Sequence, residues 1–441
     1  MSFWQDKFEI GQRGSSLRRE LLGGFTTYFT MAYIVFVQPV VMAKAGMDFG
    51  AVMVATCLAS GLACLVMGLY ANYPVALAPG MGTNFFFTYA VVLGMHLAWP
   101  QALGATLAAG LIFLALSLLG LRERLINAIP ATLLDAIGAG IGLMIAFVGL
   151  QWSGLVVGHP GTLVSLGRLS DPPTLLAIFG LVLTSILWSW GMRGAVLIGI
   201  LASTALGLAT GLLRLEGLFS LPPSLSPTLG RLSLEGACSP RFWEVVVVFL
   251  FLDIFDTTGT LVGIGREAGF YRQGRLVGAG RALLSDAVGT VLGSLLGTST
   301  ITSYVESAAG IQSGARTGLA AVVTGLLLML TPFLYPLVKA VGAGVSSGGH
   351  LLHPVTAPAL ILVGVMMMKA VGRIPWQEPD QAIPAFLTIV IMQLSISITE
   401  GIAMGFISYC VLALARGRGR QVPWPIYLTA VFFLLRYLFL R

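Results

Sequence analysis

Long apolar stretches separated by short polar ones run through the whole chain. A helix of about 20 apolar residues crosses a bilayer. By that measure full-length spans are predicted at 23–43, 50–70, 100–119, 131–150, 174–190, 194–213, 243–264, 316–338 and 355–371. Shorter or interrupted spans are predicted at 84–97, 282–297, 303–314, 381–397 and 399–415, which brings the count to fourteen. The apolar stretch 424–440 carries Trp424, Pro425 and Arg436 and reads as a tail helix at the membrane interface.

Two interruptions have the same character. The first is Ala76-Leu77-Ala78-Pro79-Gly80-Met81-Gly82-Thr83-Asn84; the second is Gly297-Thr298-Ser299-Thr300-Ile301-Thr302-Ser303-Tyr304-Val305-Glu306. Each breaks an apolar stretch with Gly, Pro or hydroxyl residues and ends in a polar side chain. Paired breaks in corresponding halves point to the binding site of a secondary transporter.

A constant shift near 223 relates the halves. It carries 23–46 onto 246–269, Asn84 onto Ser307, and Ala136–Met144 onto 359–367. Seven spans per half is an odd number, so the halves have opposite orientation and the two breaks meet at mid-membrane. The connection 214–241, with Pro222, Pro223 and Pro227, is the joint.

Composition agrees with a polytopic membrane protein. The 441 residues are 56% hydrophobic and 10% charged, with mean hydropathy +0.90, against about 25% charged in soluble domains. The net charge of +7 is no nucleic-acid signal, because the Arg residues are scattered singly between apolar segments. With the N-terminus in the cytosol, only Lys44, Arg168, Arg214, Arg231, Arg241 and Lys339 of the 25 basic residues fall outside. That bias fits an even number of spans with both ends cytoplasmic in the cell membrane. Residues 1–20 hold seven charged residues before any long apolar run and read as a cytosolic lead-in rather than a cleavable signal. Cys57, Cys64, Cys238 and Cys410 have no metal spacing and read as packing residues. His350 and His353 flank a loop and read as structural, so no metal site is expected.

An ionisable residue inside a span is functional by default. Asp253, Asp256 and Glu306 qualify, with Asp135 and Glu400 nearer the membrane edges. Asp253 and Asp256 are three apart and share a helix face. No Lys or Arg lies within their span, so a proton or a bound donor must neutralise them. Glu306 starts a short helix after the second break; Asn84 holds the matching place in the first. Unwound backbone is tolerated at membrane depth only where it lines a cavity or is buried in protein. Gly80, Gly82, Thr300 and Thr302 are therefore expected to offer bare N–H and C=O groups, and the two extended breaks to pair their backbones. Phe85, Phe86 and Tyr304 add flat apolar surface. Such a pocket has acceptors in excess and no cation. It suits a neutral, flat, N–H-rich ligand such as a nucleobase, and suits phosphate, sulfate or carboxylate poorly.

At these residues the chain resembles the nucleobase:cation symporter-2 superfamily, in its AzgA-like purine permease branch. The matching stretches are Leu21–Gly46, Ala76–Asn84, Phe249–Gly265, Ser285–Gly310 and Thr399–Tyr409. The resemblance implies an all-α fold of two inverted sevens, with spans 1–4 and 8–11 as a core domain and spans 5–7 and 12–14 as a gate domain. On this chain the divisions are a cytosolic segment 1–22, core parts 23–125 and 241–340, gate parts 126–240 and 341–415, and a tail 416–441. The family pattern implies that Asp253 and Glu306 bind the purine while Asp256 and Asn84 support binding or proton coupling. It implies import of adenine, guanine and hypoxanthine with protons. Proton symport is preferred over sodium because no carbonyl-rich sodium cage is visible; no other cofactor is expected. A homodimer through the gate domain is an arrangement the sequence allows.

Two other readings stand beside this one. An anion transporter or channel of the same architecture usually carries a soluble C-terminal domain and a cationic site. An intramembrane aspartyl enzyme places its two aspartates on different helices, whereas Asp253 and Asp256 share one.

Overall fold

A computed structural model of the chain describes residues 3–119, 130–272 and 275–439. Arg122, Arg124, Arg441 and the 125/126 boundary lie outside those residues. The helices are α1 (Phe3–Lys7), α2 (Leu17–Met31), α3 (Tyr33–Lys44), α4 (Phe49–Val66), α5 (Met81–Phe85), α6 (Trp99–Leu118), α7 (Ala131–Trp152), α8 (Pro172–Ser189), α9 (Ala195–Ala209), α10 (Pro240–Glu267), α11 (Ala279–Leu296), α12 (Ser307–Gln312), α13 (Gly318–Leu330), α14 (Tyr335–Gly342), α15 (Ala357–Met367), α16 (Pro379–Ser395), α17 (Ile398–Ala415) and α18 (Trp424–Phe439). π-Helical turns extend α4 through Ala71 and α5 through Gly94. Among the described residues, eight strands form four antiparallel pairs. Three are local hairpins: β2 (Val156–His159) with β3 (Leu163–Leu166), β4 (Tyr271–Arg272) with β5 (Arg275–Leu276), and β7 (Val345–Ser347) with β8 (His350–Leu352). The fourth joins β1 (Leu77–Pro79) to β6 (Ile301–Ser303) across the length of the chain.

Among the described residues, eight helical segments are long and apolar enough to cross a membrane, and three shorter apolar ones lie at Met81–Gly94, Ala195–Ala209 and Trp424–Leu438. The stretches 282–297, 355–371 and 381–397 are helical as α11, α15 and α16, while 303–314 contains only the short α12. The long helices need no strong amphipathicity, since lipid replaces water on the outer face and apolar residues serve on all sides.

The helices pack in two groups. In the first, α13 lies on α4 and α2, α11 on α6 and α4, and α10 on α6. In the second, α7 lies on α15 and α16, α16 on α17, and α8 on α9 and α15. Glycines set the closest approaches. A Cβ at Gly61 would fall 2.9 Å from the Gly325 carbonyl, and one at Gly142 would fall 3.0 Å from that of Gly364. The first is an α4–α13 contact and the second an α7–α15 contact, so each group has its own backbone-to-backbone seam. The C-terminal helix α18 packs along α17.

Two polar anchors hold the first group's N-terminal edge. The Glu20 carboxylate accepts the backbone N–H groups of Arg316 (2.8 Å) and Thr317 (3.3 Å) at the start of α13. Asn72, in the left-handed region at φ +53°, donates to the Phe8 carbonyl and accepts from Gly318 N–H at 2.7 Å.

Candidate functional site

The two breaks are extended for local reasons. Pro79 disfavours a helical conformation at Ala78, and Gly297 ends α11 at φ +100°, a conformation favoured by glycine. The extended segments then pair. Leu77 stands opposite Ser303, Ala78 opposite Thr302 and Pro79 opposite Ile301. Gly80 N–H donates to the Thr300 carbonyl (3.1 Å), and Tyr304 N–H to that of Ala76 (2.9 Å). This realises the backbone pairing expected of two facing breaks.

A two-stranded ribbon leaves two outer edges unpaired, and at membrane depth each needs partners. Side chains of neighbouring helices supply them. The Cys64 sulfur lies 3.1 Å from Leu77 N and 3.3 Å from its carbonyl oxygen. The Thr290 hydroxyl does the same for Ile301, at 3.2 and 3.0 Å. Cys64 therefore does more than pack. The small face of α11 lets β6 lie close: a Cβ at Gly289 would fall 2.9 Å from the Ile301 side chain.

Side chains also tie the breaks together. The Tyr304 hydroxyl donates to the Pro79 carbonyl at 2.5 Å. Gln38 on α3 donates to Thr298 (3.0 Å) and Ser299 (3.1 Å) and accepts from the Asn84 amide at 2.5 Å. Asn84 is fully buried in this network, and its carbonyl oxygen has no hydrogen-bond partner among the described residues. Its amide nitrogen braces the breaks through Gln38. Phe85, expected as a stacking wall, is also fully buried and stacks on Tyr89 at 5.5 Å between ring centres. Tyr304 is 5% exposed with its hydroxyl engaged.

The acids separate by environment. Asp253 is buried and accepts from Thr290 at 3.2 Å in the α10–α11 interface. A hydroxyl has one proton, so Thr290 serves either Asp253 or the Ile301 carbonyl at a time. Asp256, one turn on, is exposed to solvent-sized space although protein surrounds it. Its Oδ2 accepts from the Thr302 hydroxyl at 3.1 Å and would lie 3.1 Å from a Cβ at Gly80. Asp256 thus sits between the breaks. Gly259 and Gly263 follow it on the same helix face, both exposed, and a Cβ at either would meet nothing within 4 Å. A face of Asp, Gly and Gly is unsuited to lipid and marks an open cavity running toward the Arg266 end of α10.

Glu306 is half-buried at the start of α12 and makes no side-chain cap there. Its Oε1 instead accepts from the Tyr33 hydroxyl at 2.6 Å. Gly82 marks where the groups meet: a Cβ there would fall 2.9 Å from Ile141 on α7.

Asp135 and Glu400, the edge acids, are ion-paired elsewhere, with Arg373 at 2.5 Å and Arg436 at 2.8 Å. His350 is exposed on β8, and His353 is buried against Trp152. Four residues around the breaks escaped sequence reasoning: Gln38, Tyr33, Thr290 and Asp286. Asp286 is fully buried and accepts from Thr257 (2.8 Å) and Ser303 (3.4 Å). As an acid inside a predicted span it met the same criterion as Asp253. The other three are uncharged and common in spans, and only their spatial neighbours single them out.

A ribbon of two broken segments, carried by the first helix group and meeting the second where Gly82 touches Ile141, belongs to a polytopic membrane fold. The comparisons with known proteins agree. A model of the Permease family matches residues 18–404. The guanine/hypoxanthine permease PbuG of Bacillus subtilis is 45% identical, over 98% of this chain and 99% of that one. The adenine permease AdeP of Escherichia coli is 41% identical, over 98% and 95%, and the putative permease MJ0326 of Methanocaldococcus jannaschii is 47% identical, over 100% and 99%. Among solved structures, the transmembrane domain of the cyanobacterial bicarbonate transporter BicA superposes with a TM-score of 0.66 at 18% identity, covering 88% of this chain and 97% of that one. The overall structure of SLC26A9 gives 0.62 at 12%, covering 94% and 67%. These likenesses show the fold: an all-α membrane protein built as a seven-plus-seven inverted repeat. The chain belongs to the nucleobase:cation symporter-2 superfamily, in its AzgA-like purine permease branch.

Proposed function

We propose that this protein imports the purine nucleobases adenine, guanine and hypoxanthine together with protons. The observation that carries this reading is the pair of carboxylates, Asp256 and Glu306, set around a ribbon of two breaks with no cation in the surrounding segments. Residues 45–121, 242–265 and 282–315 contain no Lys or Arg. Purine N–H groups fit such acceptors, and the names of PbuG and AdeP point the same way.

Asp256 is the better proton carrier of the span's two aspartates, because it faces the cavity while Asp253 is held by Thr290. Protonation removes the negative charge facing the cavity and lets the helix group bearing the site, the core, rock against the group containing α7, the gate. Both termini of the core and gate sequence lie on the cytoplasmic side in this scheme, and Arg266 marks the cytoplasmic end of α10.

The test is competition uptake in cells expressing the protein, with adenine, guanine, hypoxanthine, xanthine and uracil, with and without a protonophore. Competition by the first three and loss of accumulation with the protonophore are expected. Competition by uracil alone, or accumulation indifferent to the protonophore, would sink the purine or the proton assignment respectively.

A further inference from the structure

Arg436 on α18 lies between two carboxylates from different helix groups. Its Nε is 2.9 Å from Oε1 of Glu244 in the first turns of α10, and its Nη1 is 2.8 Å from Oε1 of Glu400 in the first turn of α17. The Tyr437 hydroxyl donates to the other oxygen of Glu400. The pair with Glu244 is the better shielded, with side-chain exposures of 17% for Arg436 and 4% for Glu244, against 26% for Glu400.

The direction of α18 gives these contacts their meaning. Near its start, the Tyr427 hydroxyl donates to the Gly419 carbonyl, just past the end of α17. Near its end, Arg436 meets the beginning of α17. The two helices are therefore antiparallel. Sixteen residues rise about 24 Å, most of a hydrocarbon core of about 30 Å. So α18 runs back along α17 and brings Arg436 to the end of that helix opposite Arg416 and Arg418.

Buried ion pairs contribute little net stability but are strongly disrupted when one partner is lost, which suits them to registering one arrangement over another. Glu244 sits on the same helix as Asp253 and Asp256. We propose that Arg436 is a positioning residue for transport: it joins the start of α10 to α17 in the arrangement seen here and releases Glu244 when the site-bearing group moves, while its pair with Glu400 persists. This rests on the core-against-gate movement proposed above.

The test separates the clamp from purine transport. On a Cys238→Ser background, which removes the exposed native thiol, Gly263→Cys places a reporter on the open cavity face. The rate of modification by a small water-soluble thiol reagent is measured in purified protein, without substrate. Glu244→Gln and Arg436→Gln are each expected to lower that rate about tenfold as the population leaves this arrangement, and the double variant to lower it no further. Purine uptake rate should change while the dissociation constant for adenine or guanine does not. Arg436→Lys keeps the charge but loses the fork, and should fall between. Unchanged modification in folded Glu244→Gln and Arg436→Gln overturns the proposal, as does additive behaviour of the double variant. Should a Gln variant fail to reach the membrane, Arg436→Lys decides by the same readout. Wild-type protein that transports no purine refutes the proposed cargo, yet the modification rates still judge the clamp.

Discussion

The Tyr33 hydroxyl holds Oε1 of Glu306 at 2.6 Å, from the first residue of α3 to the last residue before α12. Tyr33 thereby fixes the orientation of the carboxylate that is proposed to meet the ligand. A hydrogen bond to a charged group contributes about 1.5–3 kcal/mol. Tyr33→Phe is therefore expected to raise the KM for purine uptake roughly tenfold or more, with the protein still in the membrane. Glu306→Ala should abolish uptake. A KM for Tyr33→Phe equal to that of the wild type would mean that the orientation of Glu306 is fixed by other contacts.

Gly82 and Ile141 touch across the two helix groups, with 2.9 Å between the Ile141 Cγ2 and a Cβ built on Gly82. That is too close for real carbon atoms, and overpacking costs about 1–3 kcal/mol. Gly82→Ala should slow uptake without changing expression. Adding Ile141→Ala, which removes Cγ2, should restore much of the rate. Measuring both single variants and the double variant in one uptake assay gives the coupling. If Ile141→Ala leaves Gly82→Ala as slow as before, the contact does not limit movement.

Much of this site was legible because membrane depth punishes the same things everywhere. Breaks rich in Gly, Pro and Thr stand out against apolar helices, and acids stand out more. The facing of the breaks followed from the constant shift, and their pairing from the need to satisfy bare backbone. What sequence left open is direction. Asp253 and Asp256 share a helix face by spacing, yet one points into the α10–α11 seam and the other into the cavity. Asn84 and Phe85 follow the first break directly, yet both are spent on Gln38 and Tyr89. Rotations of a helix by a fraction of a turn decide such outcomes.

The different surroundings of the two aspartates predict different phenotypes. Asp256→Asn removes the carboxylate that faces the cavity between Gly80 and Thr302. It should abolish proton-dependent accumulation while leaving the ribbon intact, and any residual exchange of purine across the membrane should lose its pH dependence. Asp253→Asn acts on the seam with Thr290, whose hydroxyl also serves Ile301. It should lower both uptake and thermal stability, the latter by about 1–3 kcal/mol for a disturbed buried polar contact. Uptake at several external pH values, with melting of the purified proteins, separates the two. Equal loss of stability in both variants would contradict the assignment of Asp256 to the cavity.

His353 offers a pH prediction outside the spans. Its ring packs on Trp152 at 4.8 Å between centres, its Nδ1 lies 3.2 Å from the Gly342 carbonyl, and its buried Nε2 has no hydrogen-bond partner among the described residues. Burial first, and the neighbouring Lys44 charge second, push its pKa down to about 4 from the usual 6.5, against the opposing effect of the Gly342 carbonyl. Between those values the unfolded chain binds a proton that the folded chain refuses. Stability therefore falls as pH drops from about 6.5 toward 4, and this group adds no further slope below that. Purified protein should melt at progressively lower temperature across that window. His353→Gln has no proton to take up, so its melting temperature should vary less with pH over the same range, whatever its absolute value. The wild-type and variant curves, compared between pH 7.5 and 4, give the contribution of this one ring, and parallel curves would show that His353 does not carry the acid sensitivity.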